Sequence, residues 1–507
     1  MFINRISPHE IVKHRIEAEY YSPEKMAQLI VLRNLSAKWK SLDDLCEFIT
    51  DGTHQTPNYT ALGVPFLSST NIGESQIDFE KTKFVSETAF VELKRTKCSP
   101  IPGDILISKN GKVGTASVYR EGYPAVGLFV SVALLRYQAQ LDSDFVCAFL
   151  NSNGGQWQFK RAAKTGVITN LHLEEIREVE IPILDETVQK YIGDKVRQAE
   201  QLRAWAKSVQ QQASELLPAY INEIQRYEAK SYRAKNIIPE RLDSLFYHPD
   251  YIALEGKMKA KGCKRLGLIT TQIKDSWDKK KAEAFEYYEI GGLDITTGQV
   301  SSTKTHTVGA PSRAKTKVQQ GDVLVSTVRP NRKNVGFIVD SVTESEMVAT
   351  SGFSVLRFSS LAQAAFYHAW LRTDDATAQL MRWNSGSAYP AIDDDVPLNI
   401  IIPDFEQTFV DSWGQKLLDA QFAYVYARRL TEAAKTLVEA LIEGQLNEQQ
   451  LIQAQQALDD GDNSLDQAIL SKLSNEGYAI DGATPLFSDL DELYRLLASA
   501  AQAETEE

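Results

Sequence analysis

The sequence predicts a tandem α/β (α+β) fold, in which two related domains are joined by two long helices forming an antiparallel coiled coil. Three observations carry this. Residues 185–230 have the period of one long helix, the pattern returns 221 positions later over residues 406–444, and the segments ahead of each helix recur in the same order. In the first helix Val188, Ile192, Ala199, Leu202, Ala206, Val209, Ala213, Leu216 and Tyr220 recur at steps of three and four, with Lys195 interrupting. Trp413, Ala420, Ala423, Ala427, Leu430, Ala434, Leu437 and Leu441 repeat that seam in the second. Two ordinary amphipathic helices in separate cores would show the same period. The repeat instead favours a paired spacer, roughly 60 Å long for helices of about 40 residues.

Taken in order, residues from Arg15 read RIEAEYYSPE and residues from Arg241 read RLDSLFYHPD, sharing an Arg, an aliphatic, an acid and an aromatic-Tyr-x-Pro-acid run. Between Leu42 and Pro182, short alternating runs at 63–67 and 129–134 predict strands, and Asp51-Gly52, Asn71-Ile72-Gly73 and Asn110-Gly111 predict turns. Residues 144–151 predict a short helix. Gly103-Asp104-Ile105-Leu106-Ile107-Ser108 is answered by Gly321-Asp322-Val323-Leu324-Val325-Ser326, residues 145–150 by 366–371, Gly166 by Gly386, and Glu180-Ile181-Pro182 by Ile401-Ile402-Pro403. The chain is thus a tandem duplication of about 220 residues. Its expected parts are a first domain over 1–184, a helix over 185–230, a second domain over 231–403, a helix over 404–446, and an acidic helical extension over 447–507. What the halves share is scaffold, and where they differ, as in DGTHQTPNY (51–59) against KDSWDKKK (274–281), their tasks diverge.

At 507 residues the chain exceeds a single core. Cys46, Cys98, Cys147 and Cys263 are scattered without paired spacing, which argues against a disulfide framework or a zinc site and for reduced, cytosolic thiols. The start lacks a secretory h-region and the apolar stretch 122–135 is too short to span a bilayer, so the expected location is cytoplasmic. A net charge of −12 argues against nucleic acid only until it is mapped. From Glu448 onward thirteen acidic residues face Lys472 and Arg495 alone, leaving the rest near neutral and able to carry basic faces.

The sequence resembles the specificity subunits of type I restriction-modification systems. The resemblance rests on DGTHQTPNYTALGVPFLSSTNI, on GDILISKNGKVG and GDVLVS, on Gly-x-x-x-x-Asn-Leu ahead of EIPI, and on the long helices after IPI and IIP, and it covers residues 1 to about 445. It implies two target recognition domains, each reading half of a split double-stranded DNA site. It also implies a coiled coil that docks two DNA methyltransferase subunits, joined by restriction/translocase subunits, in phage defence. Two similar readers on a stiff spacer would lie about one helical turn, roughly 34 Å, apart on a duplex. Because the halves differ, the target would be bipartite and asymmetric.

DNA contacts need polar or cationic side chains on protruding loops. The candidates in the first domain are Thr53, His54, Asn58, Tyr59, Lys109, Asn110, Lys112, Lys164, Thr165 and Asn170. In the second they are Lys274, Trp277, Lys279, Lys280, Arg329, Asn331, Arg332, Lys333, Asn384, Ser387 and Tyr389, with RPNRKN (329–334) standing where the first half has only KNGK. The positions expected to dock partner subunits are Ile192, Ala199, Leu202, Val209, Leu216, Trp413, Ala420, Leu430, Leu437 and Leu441.

Catalytic patterns are missing: the sequence has no GxxxxGK loop, no HExxH, no paired-Cys metal pattern and no Asn-Pro-Pro-Tyr or Asp-Pro-Pro-Tyr. Cys46 with His54 as a nucleophile pair, and Asp393, Asp394 and Asp395 as a metal site, are the weak enzyme readings that remain. No cofactor or metal is expected on this chain, and S-adenosylmethionine, ATP and magnesium would belong to partner subunits. In the tail, Phe487, Leu490, Leu493, Tyr494 and Leu497 form an amphipathic face. The alternatives there are a loosely ordered acidic tail, a contact with another subunit, or a mask over a basic face. The rival to DNA reading is a protein-interaction scaffold, or a specificity chain of a different methylation or phage-defence system.

Overall fold

The computed structural model describes residues 6, 18–137, 141–163, 170–217, 238, 241–280, 282–340, 345–385 and 389–506. It divides into two compact units, residues 1–201 with 427–494, and residues 202–426 with 495–507. The helices Glu186–Leu216 and Gln407–Ile442 each supply residues to both units. Tyr220, Gly166 and Gly386 lie outside the described residues.

In the first unit the strands Cys46–Asp51, Val132–Tyr137, Ile105–Ser108 and Ala116–Val118 form one sheet in that order, antiparallel throughout. All of Ile105–Ser108 is buried, which is why it reads as an unbroken apolar run rather than an alternating one. The second unit builds the same sheet from Thr271–Ile273, Phe353–Arg357, Val323–Ser326 and Val335–Phe337. The run 129–134 becomes a strand only from Val132, because the amides of Phe129 and Val130 leave the ladder to bond Leu67 and Thr53 carbonyls.

A second sheet in each unit keeps a parallel pair flanked by an antiparallel strand. Val64–Leu67 runs parallel to Gly127–Leu128 and antiparallel to Lys83–Val85; Ala284–Leu293 runs parallel to Glu346–Thr350 and antiparallel to Val300–His306. The fourth strand differs: Tyr59–Thr60 joins beside Lys83–Val85, whereas Ala314–Lys317 joins beside Glu346–Thr350. Lys38–Ser41 pairs with Glu180–Ile183, and Cys263–Arg265 with Ile401–Pro403, so each Ile-Pro run closes its domain before a long helix begins.

The repeated Gly-Asp has a structural cause. Gly103 and Gly321 turn the chain at φ +92° and +87°, a region costly for any residue with a Cβ. The buried Asp104 then accepts two bonds from Arg136, at 2.9 and 2.7 Å, and the Ile101 amide at 2.8 Å. Asp322 accepts two from Arg357, at 2.7 and 2.8 Å, and the Gln319 amide at 2.9 Å. Burial outweighs the Arg357 guanidinium and leaves the Asp322 carboxyl above its ordinary value.

The seam positions are consumed inside the chain. Ile192, Ala199, Leu202, Val209, Ala420, Leu430, Leu437 and Leu441 are buried, as seam positions should be, so any docking of partner subunits falls to other faces of these helices. Leu216 remains 52% exposed, and Trp413 is partly exposed with the Lys416 ammonium 4.7 Å over its ring.

The acidic extension is folded rather than loose. Helices Glu448–Asp459, Ser464–Leu470 and Leu490–Glu506 bury Leu451, Leu470, Leu493 and Leu496, and Phe487 just ahead of the last helix is buried too. Within the first unit, Asp466 and Lys195 are each 1% exposed and pair at 2.7 and 2.8 Å. Tyr191 and Tyr494 hydroxyls donate to the same carboxylate at 2.5 Å. Burial opposes the charged form of Asp466, but Lys195 and the two hydroxyls prevail and hold its pKa below the ordinary value. Lys195 is therefore the partner of the tail and not a flaw in the seam.

Two stability outcomes follow. Asp322→Ala, or Asp104→Ala, should cost about 3 kcal/mol or more in urea unfolding, by stranding a bonded arginine and a backbone amide; a loss below about 1 kcal/mol would show that the sheet does not depend on the pair. Lys195→Met should cost about 3–5 kcal/mol by leaving Asp466 buried and uncompensated, and Lys195→Met with Asp466→Leu should recover most of it. Equal losses in single and double variants would contradict the coupling.

Candidate nucleic-acid interface

Each unit builds a pair of loops at the far end of its Gly-Asp strand. In the first, the Leu171 amide donates to the Lys109 carbonyl at 3.0 Å, and Asn110 bridges to Asn170. In the second, the Ile392 amide donates to the Thr327 carbonyl at 3.0 Å, and Val328 bridges to Ala391. The Arg329 amide extends this zipper to the Pro390 carbonyl at 2.7 Å. The turns after the strands are thereby fastened to the segments ahead of the long helices, bringing together candidates about 60 residues apart in sequence.

The DGTH turn joins the first loop pair. A Cβ on Gly52 would meet the Leu128 carbonyl oxygen at 2.1 Å, so only glycine lets this turn lie against the strand Gly127–Leu128. Asp51 then reaches Lys109 at 2.5 Å, with both side chains about a tenth exposed or less, and lies 3.3 Å from His54 Nε2. Lys109 is thus a buried tie between turns, which takes it out of the solvent-facing set. His54, Asn58 and Lys112 are exposed, while Thr53, Asn110 and Asn170 are half-buried. Tyr59 is 41% exposed beneath the Lys83 ammonium, 4.2 Å over its ring. Lys112 reaches Glu74 at 2.5 Å, and Lys435 reaches the same carboxylate at 3.0 Å. Burial works against that carboxylate's charge, yet the two ammonium groups keep its pKa low. Lys164 and Thr165 lie outside the described residues.

In the second unit Asn331, Arg332 and Tyr389 are exposed, and Arg329, Lys333 and Asn384 are half-buried. Lys333 pairs with Asp374 at 2.9 Å, and Asn384 Oδ1 accepts the Ala391 amide at 3.0 Å. Lys274 is exposed, 3.4 Å from Asp394, and Lys279 and Lys280 are exposed on the following turn. Trp277 is corrected: it is buried, donates Nε1–H to Glu346 at 2.8 Å and lies 4.2 Å from the Phe285 ring, so its face is closed to a stacking base. Ser387 lies outside the described residues.

Sequence reasoning missed the props behind these loops. Arg241, which opens RLDSLFYHPD, donates to the carbonyls of Trp383 and Asn384 at 3.0 and 3.1 Å, so that repeated motif supports the second loop. Its recurrence was the available signal. Cys147 Sγ donates to the Ala116 carbonyl, and at the equivalent place His368 Nε2 lies 3.2 Å from the Val335 carbonyl, just after RPNRKN. Burial, then the nearby Arg372 guanidinium, lower the His368 pKa to about 3. Cys46 is buried with its thiol pushed up to about 12, chiefly by desolvation, while His54 faces solvent, so they form no nucleophile pair. Among the described residues no group of three or more His, Cys, Asp or Glu is placed to hold a metal. Nor is any described helix long and apolar enough to cross a membrane.

Against known proteins, the type I restriction enzyme EcoBI specificity subunit of Escherichia coli is 23% identical over 205 residues. The chain resembles the type I restriction specificity subunits. That match spans 39% of this chain and only 40% of the length of its relative. Among solved structures, the type I restriction-modification S subunit of M. genitalium matches with a TM-score of 0.40 and 15% identity, over 80% of this chain and 96% of that one. The HsdS subunit of Thermoanaerobacter tengcongensis matches with a TM-score of 0.25 and 14% identity, over 81% and 97%. No family model matches the sequence.

The His368 environment has a pH consequence. Its folded pKa of about 3 lies below the ordinary 6.5, so the unfolded chain binds the proton first. The resulting stability is complete above about pH 6.5 and is lost as pH falls toward 3, with a slope approaching about 1.4 kcal/mol per unit. His368→Gln should flatten that limb of a urea-unfolding series between pH 6.5 and 4; an unchanged slope would refute the assignment.

Proposed function

We propose that this chain is the non-catalytic DNA-reading subunit of a type I restriction-modification assembly, each unit recognising one part of a bipartite, asymmetric site. The observation that carries the reading is the loop pair built twice on one scaffold with different chemistry at its tips: Asn110, Lys112 and Asn170 in one unit, and Arg329, Asn331, Arg332 and Tyr389 in the other. Same-scaffold, different-tip loops are what two half-sites of different sequence require, because base edges are read by side chains while backbone contacts only position. The partial likeness to the EcoBI specificity subunit supports the same reading. Adenine methylation and DNA cleavage would then belong to separate methyltransferase and restriction subunits in the cytoplasm, with S-adenosylmethionine, ATP and magnesium bound there.

The test is to map methylated adenines genome-wide with the gene intact and deleted. Loss of one split motif on deletion is expected, together with DNA binding by the assembled complex that weakens steeply with salt. An unchanged methylome with the partner methyltransferase active, and partner binding insensitive to salt without a DNA footprint, would transfer the chain to the scaffold class.

A further inference from the structure

We propose that Arg329 reads a guanine in the half-site assigned to the second unit, with Tyr389 as the positioning residue that presents it; this rests on the DNA-reading function proposed above. Arg329 is a non-glycine residue in the left-handed region, at φ +52° and ψ +56°, and Lys333, four residues on, repeats this at φ +56° and ψ +34°. Between them Pro330–Arg332 makes a tight turn, closed by the Arg332 amide on the Arg329 carbonyl at 3.0 Å. A conformation that is costly for side chains with a Cβ persists only where its surroundings enforce it. Here they do: the Arg329 amide is bonded to Pro390, the Ile392 amide to Thr327, and Lys333 is held by Asp374.

The consequence is a fixed side chain. The Arg329 guanidinium lies 4.9 Å over the ring of Tyr389, a residue that is 68% exposed. A large exposed aromatic under a cation stiffens a long side chain without neutralising its charge or occupying all its N–H donors. A pre-oriented planar fork is suited to the O6 and N7 acceptors that guanine presents in the major groove. Arg332, exposed on the same turn, and Lys333, engaged by a carboxylate, have the character of phosphate-facing groups by comparison. The first unit has no counterpart, since its shorter turn carries Gly111 at φ +75° and no arginine. The effect should therefore fall on one half of the site.

The experiment maps adenine methylation in cells making the full chain with its partner methyltransferase, as the natural sequence and as Arg329→Ala, Arg329→Lys, Arg329→Gly, Tyr389→Phe and Tyr389→Ala. Arg329→Gly is the folding control, because glycine accepts the positive φ, so its melting temperature should not fall. Expected is a split motif in which all three Arg329 variants lose preference for guanine at one position of one half-site by about tenfold or more, with the other half-site unchanged. Tyr389→Phe should retain the preference and Tyr389→Ala relax it at that same position. An unaltered motif in Arg329→Ala, or relaxation spread evenly over both half-sites, would overturn the role of Arg329. If the natural chain itself directs no split motif, the DNA-reading function falls and this inference with it.

Discussion

The structure depends on a carboxylate that water cannot reach, gripped by an arginine of the neighbouring strand, once in each unit. Asp104 with Arg136 and Asp322 with Arg357 fasten one end of the central buried strand to its neighbour. The strand is only four residues long, about 13 Å, so fixing one end fixes where the other emerges. That other end is the root of the loop pair. Because the strand is buried on both faces, its apolar pattern alone specifies register weakly. The charged pair, costly to desolvate, penalises a slipped register, because it would leave a carboxylate buried without its fork.

Charge is used in the opposite way at the tail. An acidic segment is ordinarily held by solvation, yet here one of its carboxylates, Asp466, is carried into the interior to meet Lys195. Neither charge is tolerable there alone, so the extension and the first long helix within that unit are ordered together. Other acids of the extension, such as Asp481 and Glu504, stay exposed. Net charge thus describes its surface and says nothing of its anchor.

What was legible in the sequence was whatever repeats or has a period. The duplicated Gly-Asp strand, the Ile-Pro run and the long-helix seam all left such marks, and the antiparallel sheet order follows them. Residue roles were harder, since a lysine in a turn looks alike whether it faces solvent or a buried acid. Lys109 meets Asp51 from 58 positions away, and no local pattern announces that. Trp277 among lysines suggested a stacking platform, but Phe285 on the next strand and Glu346, 69 positions away, enclose it. The seam stripe was legible as a surface that would be covered, and its residues are buried, but a stripe does not name the faces that meet partner subunits.

The two units also show how freely chemistry changes around a fixed geometry. Cys147 and His368 fill equivalent places and both reach a carbonyl of the strand next after the Gly-Asp strand, one with a weakly donating thiol and the other with a neutral imidazole. Lys109 with its buried acid is replaced by Thr327, whose hydroxyl donates to the Gly352 carbonyl at 3.0 Å. In the first case a carbonyl partner is kept and the donor exchanged; in the second the side-chain partner changes too, from the Asp51 carboxylate to the Gly352 carbonyl, while the backbone bonds to the Lys109 and Thr327 carbonyls are kept. A scaffold that meets its obligations through backbone atoms leaves its loop tips under no structural requirement. The longer turn RPNRKN stands in one unit only and holds two residues at positive φ that the shared scaffold does not ask for; the base contact proposed for Arg329 would give that strain a purpose.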